Sequence, residues 1–133
     1  MSGTDIIGEL LRAYEPLHAL VPPERIMAGK LPVGTPLPAL LLRTVSSVDT
    51  QPLVVGPTVR SKDRVSVTVR AETISDQEEA IRLVRRACHG KTGAIAGCVN
   101  VAVRTDSKGP DLLGPGDTFE QAQDFRVSFG APA

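Results

Sequence analysis

The stretch Arg64-Val65-Ser66-Val67-Thr68-Val69-Arg70-Ala71, followed by the segment 75–90 and closed by Cys98-Val99-Asn100-Val101-Ala102-Val103-Arg104, decides the fold. In its first part Val65, Val67, Val69 and Ala71 fall on one face, and Arg64, Ser66, Thr68 and Arg70 on the other. A period of two is that of a half-buried strand. The middle part changes period. Ala80, Ile81, Val84, Ala87 and Cys88 share one side, with Leu83 at its edge, which predicts an amphipathic helix. Ser75 and Glu78 have the spacing of a capping box, in which hydroxyl and carboxylate each take an orphan backbone N–H. Asp76, Glu78 and Glu79 in the first turn, and Arg85, Arg86 and His89 in the last, complement the helix dipole. Gly90 suits the C′ position, where φ turns positive. The third part alternates again. The sum is strand–helix–strand, with a valine face on each strand for the helix to cover.

Working outward, a helix is predicted over 4–14, with Ile6, Ile7, Leu10, Leu11 and Tyr14 as its apolar stripe and Thr4 or Asp5 as its cap. Pro16 blocks simple continuation, because its ring would clash with the preceding turn. Leu17, Leu20 and Val21 allow one more turn before Pro22-Pro23. A short strand is predicted over 25–28, then a loop over 29–38 rich in Pro and Gly. Residues 39–45 read as a strand whose consecutive leucines imply cover on both faces, in a central strand or at an oligomer interface.

Residues 49–63 read as a loop or irregular arm joining two antiparallel strands. Leu53, Val54 and Val55 are apolar within this mostly polar connection. Such an island either marks a contact surface or folds back over a core edge. A second long loop is predicted over 105–117, with its own island Asp111-Leu112-Leu113. The segment 118–129 closes the pattern as a strand that holds all 3 Phe, so it should dock on the inner face of the sheet. These elements predict one domain over 1–133, of class α+β. It would be a two-layer sandwich, an about four-stranded, mostly antiparallel sheet with two helices packed on one face.

Composition narrows the function. The 133 residues include no Trp, 1 Tyr and 3 Phe, so Val, Leu, Ile and Ala must supply the core. A formal net charge of +0 disfavours a nonspecific nucleic-acid binder, and 3% aromatics disfavour a base-stacking platform. No apolar run approaches the ~20 residues that span a bilayer. No basic n-region of a signal peptide is visible, and in that setting the two cysteines read as reduced thiols.

No catalytic constellation emerges, and no cofactor is expected. Cys88, His89 and Cys98 fall short of the four ligands and the close pairs of a structural zinc site, and Cys88 reads as a small buried hydrophobe. Gly90-Lys91-Thr92 imitates the end of a phosphate-binding loop, but it follows a helix where that motif must precede one. Asp5 with Glu9 and Glu78 with Glu79 read as acidic helix surface. Arg82, Arg85 and Arg86 read as a basic flank, solvated or facing an acidic partner subunit. A soluble α+β domain with long loops and no evident active site suits an assembly subunit.

The order of elements resembles the small tail-terminator, or tail-completion, proteins of long-tailed phages with non-contractile tails. The resemblance runs over nearly the whole chain. It is carried by Ile7-x-x-Leu10-Leu11, Leu17-x-x-Leu20-Val21, Arg25-Ile26 before a Pro-rich loop, and Leu37-Pro38-Ala39-Leu40-Leu41-Leu42-Arg43. It continues through Val65-x-Val67-x-Val69, the helix holding Ser75, Glu78, Ala80 and Leu83-Val84, and the closing Asp124-Phe125-Arg126-Val127-Ser128-Phe129. The middle strand lacks the aromatic residues common in the family, and the 49–63 connection is longer than the family turn.

The resemblance implies a virion protein: a homohexameric ring that caps the head-proximal end of the tail tube and joins it to the head or neck. Its partners would be copies of itself, the tube protein and a head-completion or neck protein, with DNA passing through the lumen without specific binding and no membrane involved. Leu53, Val54, Val55, Asp111, Leu112 and Leu113 are the expected tube or neck contacts. Ser66, Thr68, Arg70, Asn100 and Arg104 would face the lumen or a neighbouring subunit. Rival readings are a head–tail connector ring, a subunit of a tail-derived injection device, and, in another class, a small oligomeric cytoplasmic enzyme.

Overall fold

The structure, a computed structural model, describes residues 2–50, 56–114 and 116–132. Helices α1 (Gly3–Ala13) and α2 (Glu15–His18) lead through a 3-10 turn (Pro23–Arg25) into β1 (Ile26–Ala28). There follow β2 (Ala39–Thr50), β3 (Thr58–Ala71), α3 (Ile74–Cys88), β4 (Thr92–Ile95), β5 (Cys98–Lys108), β6 (Leu112–Gly114) and β7 (Thr118–Pro132). All seven strands belong to one mixed sheet, in the order β1-β2-β3-β7-β5-β4, with β6 on the free stretch of β7. Among the described residues the β1–β2 pairing is parallel and the other pairings are antiparallel.

The expected four-stranded sheet under two helices is therefore wrong. The short strand expected over 25–28 is present as β1, whereas β4 and β6, only four and three residues long, are too short for a hydrophobic period to register. The long connections also hold more strand than their composition suggests. Much of 49–63 belongs to β2 and β3, where hydroxyl–carboxylate pairs bridge the strands. Ser47 Oγ donates to Asp63 Oδ1, and Ser61 Oγ donates to Asp49 Oδ1. Polar cross-strand pairs thus sustain a ladder that lacks apolar alternation. Likewise β5 extends to Lys108, and β6 lies within 105–117.

The strand–helix–strand unit survives in modified form. β3 and β5 both pair antiparallel with β7, so they run parallel to each other with β7 between them. α3 crosses over the sheet above them. It begins at Ile74, and its cap is Thr73, whose side chain accepts from Asp76 N at 3.1 Å. The expected Ser75 box is thereby displaced, because Thr73 offers the same chemistry two residues earlier, just beyond the end of β3. Ser2 caps α1 by accepting from Asp5 N, in place of Thr4 or Asp5.

One face of the sheet is apolar and lies under the helices. Leu40 and Leu42 of β2, Val65, Val67 and Val69 of β3, and Phe125, Val127 and Phe129 of β7 are all buried there. Ile6, Ile7 and Leu11 of α1, Leu17 of α2 and Ala80, Ile81 and Val84 of α3 complete the core. Burying a side chain such as Phe125 contributes about 1.5–3 kcal/mol by transfer alone. Val99 was expected on this face. A register irregularity between Val99 and Ala102 turns it to the other side, where it pairs with Gly130 and is 46% exposed, while Cys98 and Val101 point inward. A bulge of this kind inverts a strand's alternation locally.

Candidate functional site

The surface features fall at the two ends of the sheet and on the face away from the helices. At one end, β6 folds back on the start of β7, pairing Leu112 with Glu120 and Leu113 with Phe119. Leu112 is 56% and Leu113 75% exposed. The approach to this hairpin is fixed by amides. Gln77 of α3, fully buried, donates from Nε2 to Asp111 Oδ1 at 2.8 Å and to Gln121 Oε1 at 3.2 Å. Gln121 Nε2 in turn donates to the Gly109 carbonyl at 2.9 Å, and Gly109 N to the Ala122 carbonyl at 2.8 Å. Asp111 is thus a brace for the exposed leucines, a role the sequence pattern did not reveal.

At the other end β2 stops at Thr50 and β3 starts at Thr58, opposite Pro132 of β7. Leu53, Val54 and Val55 lie outside the described residues. The strand leading to them is exposed throughout residues 43–50, including Val45 and Val48. At roughly 3.3 Å per residue, β7 separates the two ends by about 45 Å.

The helix-free face carries Ser66, Thr68 and Arg70, half-buried, and Arg104, exposed. Arg70 Nε lies 2.6 Å from Glu120 Oε1. Asn100 stands apart from them at the β5 irregularity, with φ of 49°, and its carbonyl accepts from Arg60 Nη1 at 2.8 Å. Register adds Arg126, which sequence reasoning did not single out, and aligns it with two arginines already expected on this face. Arg64 of β3, Arg126 of β7 and Arg104 of β5 are direct cross-strand neighbours, a row of three arginines over three adjacent strands. Two carboxylates partly offset them. Arg64 lies 2.9 Å from Asp124 and 3.3 Å from Asp106, and Arg126 lies 3.2 Å from Asp106. Lys62, Arg104 and Arg126 line one depression of about 490 Å³ on this face. The signal that could have found the row was the alternation of β3, continued upstream of Arg64.

The Cys-His cluster does not assemble. Cys88 is fully buried, and burial pushes its thiol up to about 12. Burial also raises the Cys98 thiol. His89 turns to β5, where its Nδ1 accepts from Thr105 N at 3.3 Å. Among the described residues no group of three His, Cys, Asp or Glu could hold a metal ion. Lys91 sits in the turn after α3, its N–H on the Cys88 carbonyl at 3.3 Å, with no phosphate-cradling loop. An open depression of about 620 Å³ runs along α1 past Asp5, Glu9 and Arg12. No described helix is long and apolar enough to cross a membrane.

No protein-family model and no curated protein matches this sequence. The fold is shared with a chain of a solved structure, the virion of a native gene transfer agent particle. The two agree with a TM-score of 0.77 at 16% identity, over 98% of this chain and 96% of that one.

Proposed function

We propose that this chain is a structural subunit of a phage-like virion, and more narrowly a tail terminator. It would form a homohexameric ring that ends the tail tube and joins it to the head or neck. The observation that carries the reading is the fold shared end to end with a gene transfer agent virion chain. The element order that resembles tail terminators refines it to a position in the tail.

The geometry supplies a mechanism of this kind. A terminator needs two unlike ends, one that docks on the last tube ring and one that refuses further tube subunits. Here the exposed Leu112 and Leu113 lie at one end of the long sheet, and the end of β2 at Thr50 and the start of β3 at Thr58, which Leu53, Val54 and Val55 connect in sequence, lie at the other. One end would meet the tube and the other the neck protein. The helix-free face, with Ser66, Thr68, Arg70 and Arg104, would line the lumen or a subunit contact.

Mixing the purified chain with the cognate tube protein tests this. The expected result in negative-stain images is a ring at one end of each tube and tubes that stop lengthening. Tubes that grow unchanged, with no added density, would overturn the assignment. A stable monomer in isolation is compatible with assembly on the tube alone.

A further inference from the structure

We infer that the helix-free face of the sheet is a binding surface for the phosphate backbone of duplex DNA. The inference concerns one face of the single chain and does not depend on the tube-capping role.

Its basis is the segregation of charge. The chain as a whole carries 15 basic and 15 acidic residues. On the helix-free face, Arg43, Lys62 and Arg104 are exposed and have no ion-pair partner among the described residues. Arg60, Arg64, Arg70 and Arg126 join them on the same face. Among the described residues the acids on this face are Asp106, Asp124 and Glu120, all engaged by these arginines. Seven cations therefore face three carboxylates here, which leaves eight cations and twelve carboxylates for the rest of the chain. A neutral molecule has one face at about four positive charges.

The row Arg104–Arg126–Arg64 sharpens the point. Like charges directly opposite on neighbouring strands destabilise a sheet, and an anion laid across the row relieves that repulsion. Adjacent strands lie about 4.8 Å apart, so the row is about 10 Å wide and lies within reach of successive phosphates. The nature of the face favours DNA over protein. Ser46, Ser66, Thr68 and Ser128 lie between the cations, and the exposed large apolar side chains that share the face with them include Val48 and Val99. Protein interfaces are depleted of charge at their cores, whereas DNA-binding surfaces are polar, basic and rich in Arg, Lys and hydroxyl contacts to phosphate.

The test is fluorescence anisotropy of a labelled 30-base-pair duplex of arbitrary sequence, titrated with the full chain at several salt concentrations. Binding with a dissociation constant on the order of 10⁻⁵ M near 50 mM salt is expected, indifferent to sequence and weakening with salt at a log–log slope of about −3. The variant Arg43→Gln/Lys62→Gln/Arg104→Gln should bind at least ~10-fold more weakly with the slope flattened by about 2–3. Arg85→Gln/Arg86→Gln/Lys108→Gln removes the same charge from the helix side and should change affinity less than about 2-fold. If the first variant fails to fold, Arg104→Gln alone gives the same test, with a slope change of about 1. Equal losses in the two triple variants, or no binding at low salt, would overturn the inference. So would a face whose neutralisation abolishes self-association and leaves duplex binding intact. Tube capping is read separately, so either result stands without the other.

Discussion

The backbone N–H of Gly3 donates to Asp63 Oδ2 at 2.9 Å, joining the first turn of α1 to the middle of the sheet. Asp63 is 5% exposed and also accepts from Ser47 Oγ. A carboxylate beneath a helix N-terminus meets the positive end of the dipole as well as an orphan N–H. Asp63→Ala should lower unfolding stability by about 1–3 kcal/mol, since it strands the buried Gly3 N–H and removes the acceptor of Ser47, and Asp63→Asn by about half of that. Urea denaturation followed by circular dichroism measures both. Gly3 is required for the same contact, because a Cβ there would stand 2.8 Å from Asp63 Cβ and from Val65 Cγ2. Gly3→Ala is expected to cost roughly 1–3 kcal/mol through overpacking.

Gln77 predicts a separation of stability from local order. Its Oε1 is buried without a hydrogen bond, while its Nε2 braces Asp111 and Gln121. Gln77→Leu removes the orphan acceptor along with two hydrogen bonds. Global stability should stay within about 1 kcal/mol of the parent. Amide hydrogen exchange over 109–114, however, should quicken clearly relative to β3 and β7. Unchanged exchange there would show that the hairpin holds itself.

Cys88 gives a pH-dependent expectation. Its folded thiol, at about 12, ionises above the ordinary value of 9.0 because burial disfavours the thiolate. The folded state therefore holds this proton more tightly than the unfolded state. The stabilisation is complete below pH 9 and is lost as pH rises from 9 towards 12. Denaturation midpoints should be insensitive to this group below pH 8 and should fall above pH 9, with Cys88→Ala showing a shallower decline. In the native protein at pH 8 the thiol should react with Ellman's reagent only as fast as the chain opens.

The exposed leucines of β6 carry the contact prediction. Leu112→Asp/Leu113→Asp should leave the far-UV spectrum and melting temperature nearly unchanged, since both side chains are largely in water. The same variant should lose tube or neck attachment in the mixing experiment. Normal attachment would shift the contact to the other end, where Leu53→Asp/Val55→Asp makes the parallel test.

Much of the core was legible because it is written in period. The alternation of Val65, Val67 and Val69 and the helical spacing of Ala80, Ile81 and Val84 each fix one buried face locally. The strand count was not legible. β4 and β6 exist only because a long neighbour offers them a free edge, a condition set by distant sequence. The inversion at Val99 was hidden because a bulge belongs to the pairing of two strands. The charged face was hidden by a sum. A net charge of +0 argues against a polyanion partner only when the signs are mixed, and their segregation depends on the register that sets Arg64 beside Arg126 and Arg126 beside Arg104.

The position of β7 also has a consequence for the order of events during synthesis. It is the last of the seven strands to be translated, yet it lies between β3 and β5 and completes both. Until it emerges, Val65 lacks its neighbour Phe125, and β5 has only the short β4 beside it. Each outward feature waits on the same event. β7 supplies the backing for Leu112 and Leu113, the central arginine of the cationic row, and the partner for the start of β3. Before β7 pairs, neither the exposed leucine end nor the charged face has formed, and the two arise together in one step. Contacts so distant in sequence form slowly, so the surface of this domain is completed only at the end of its folding.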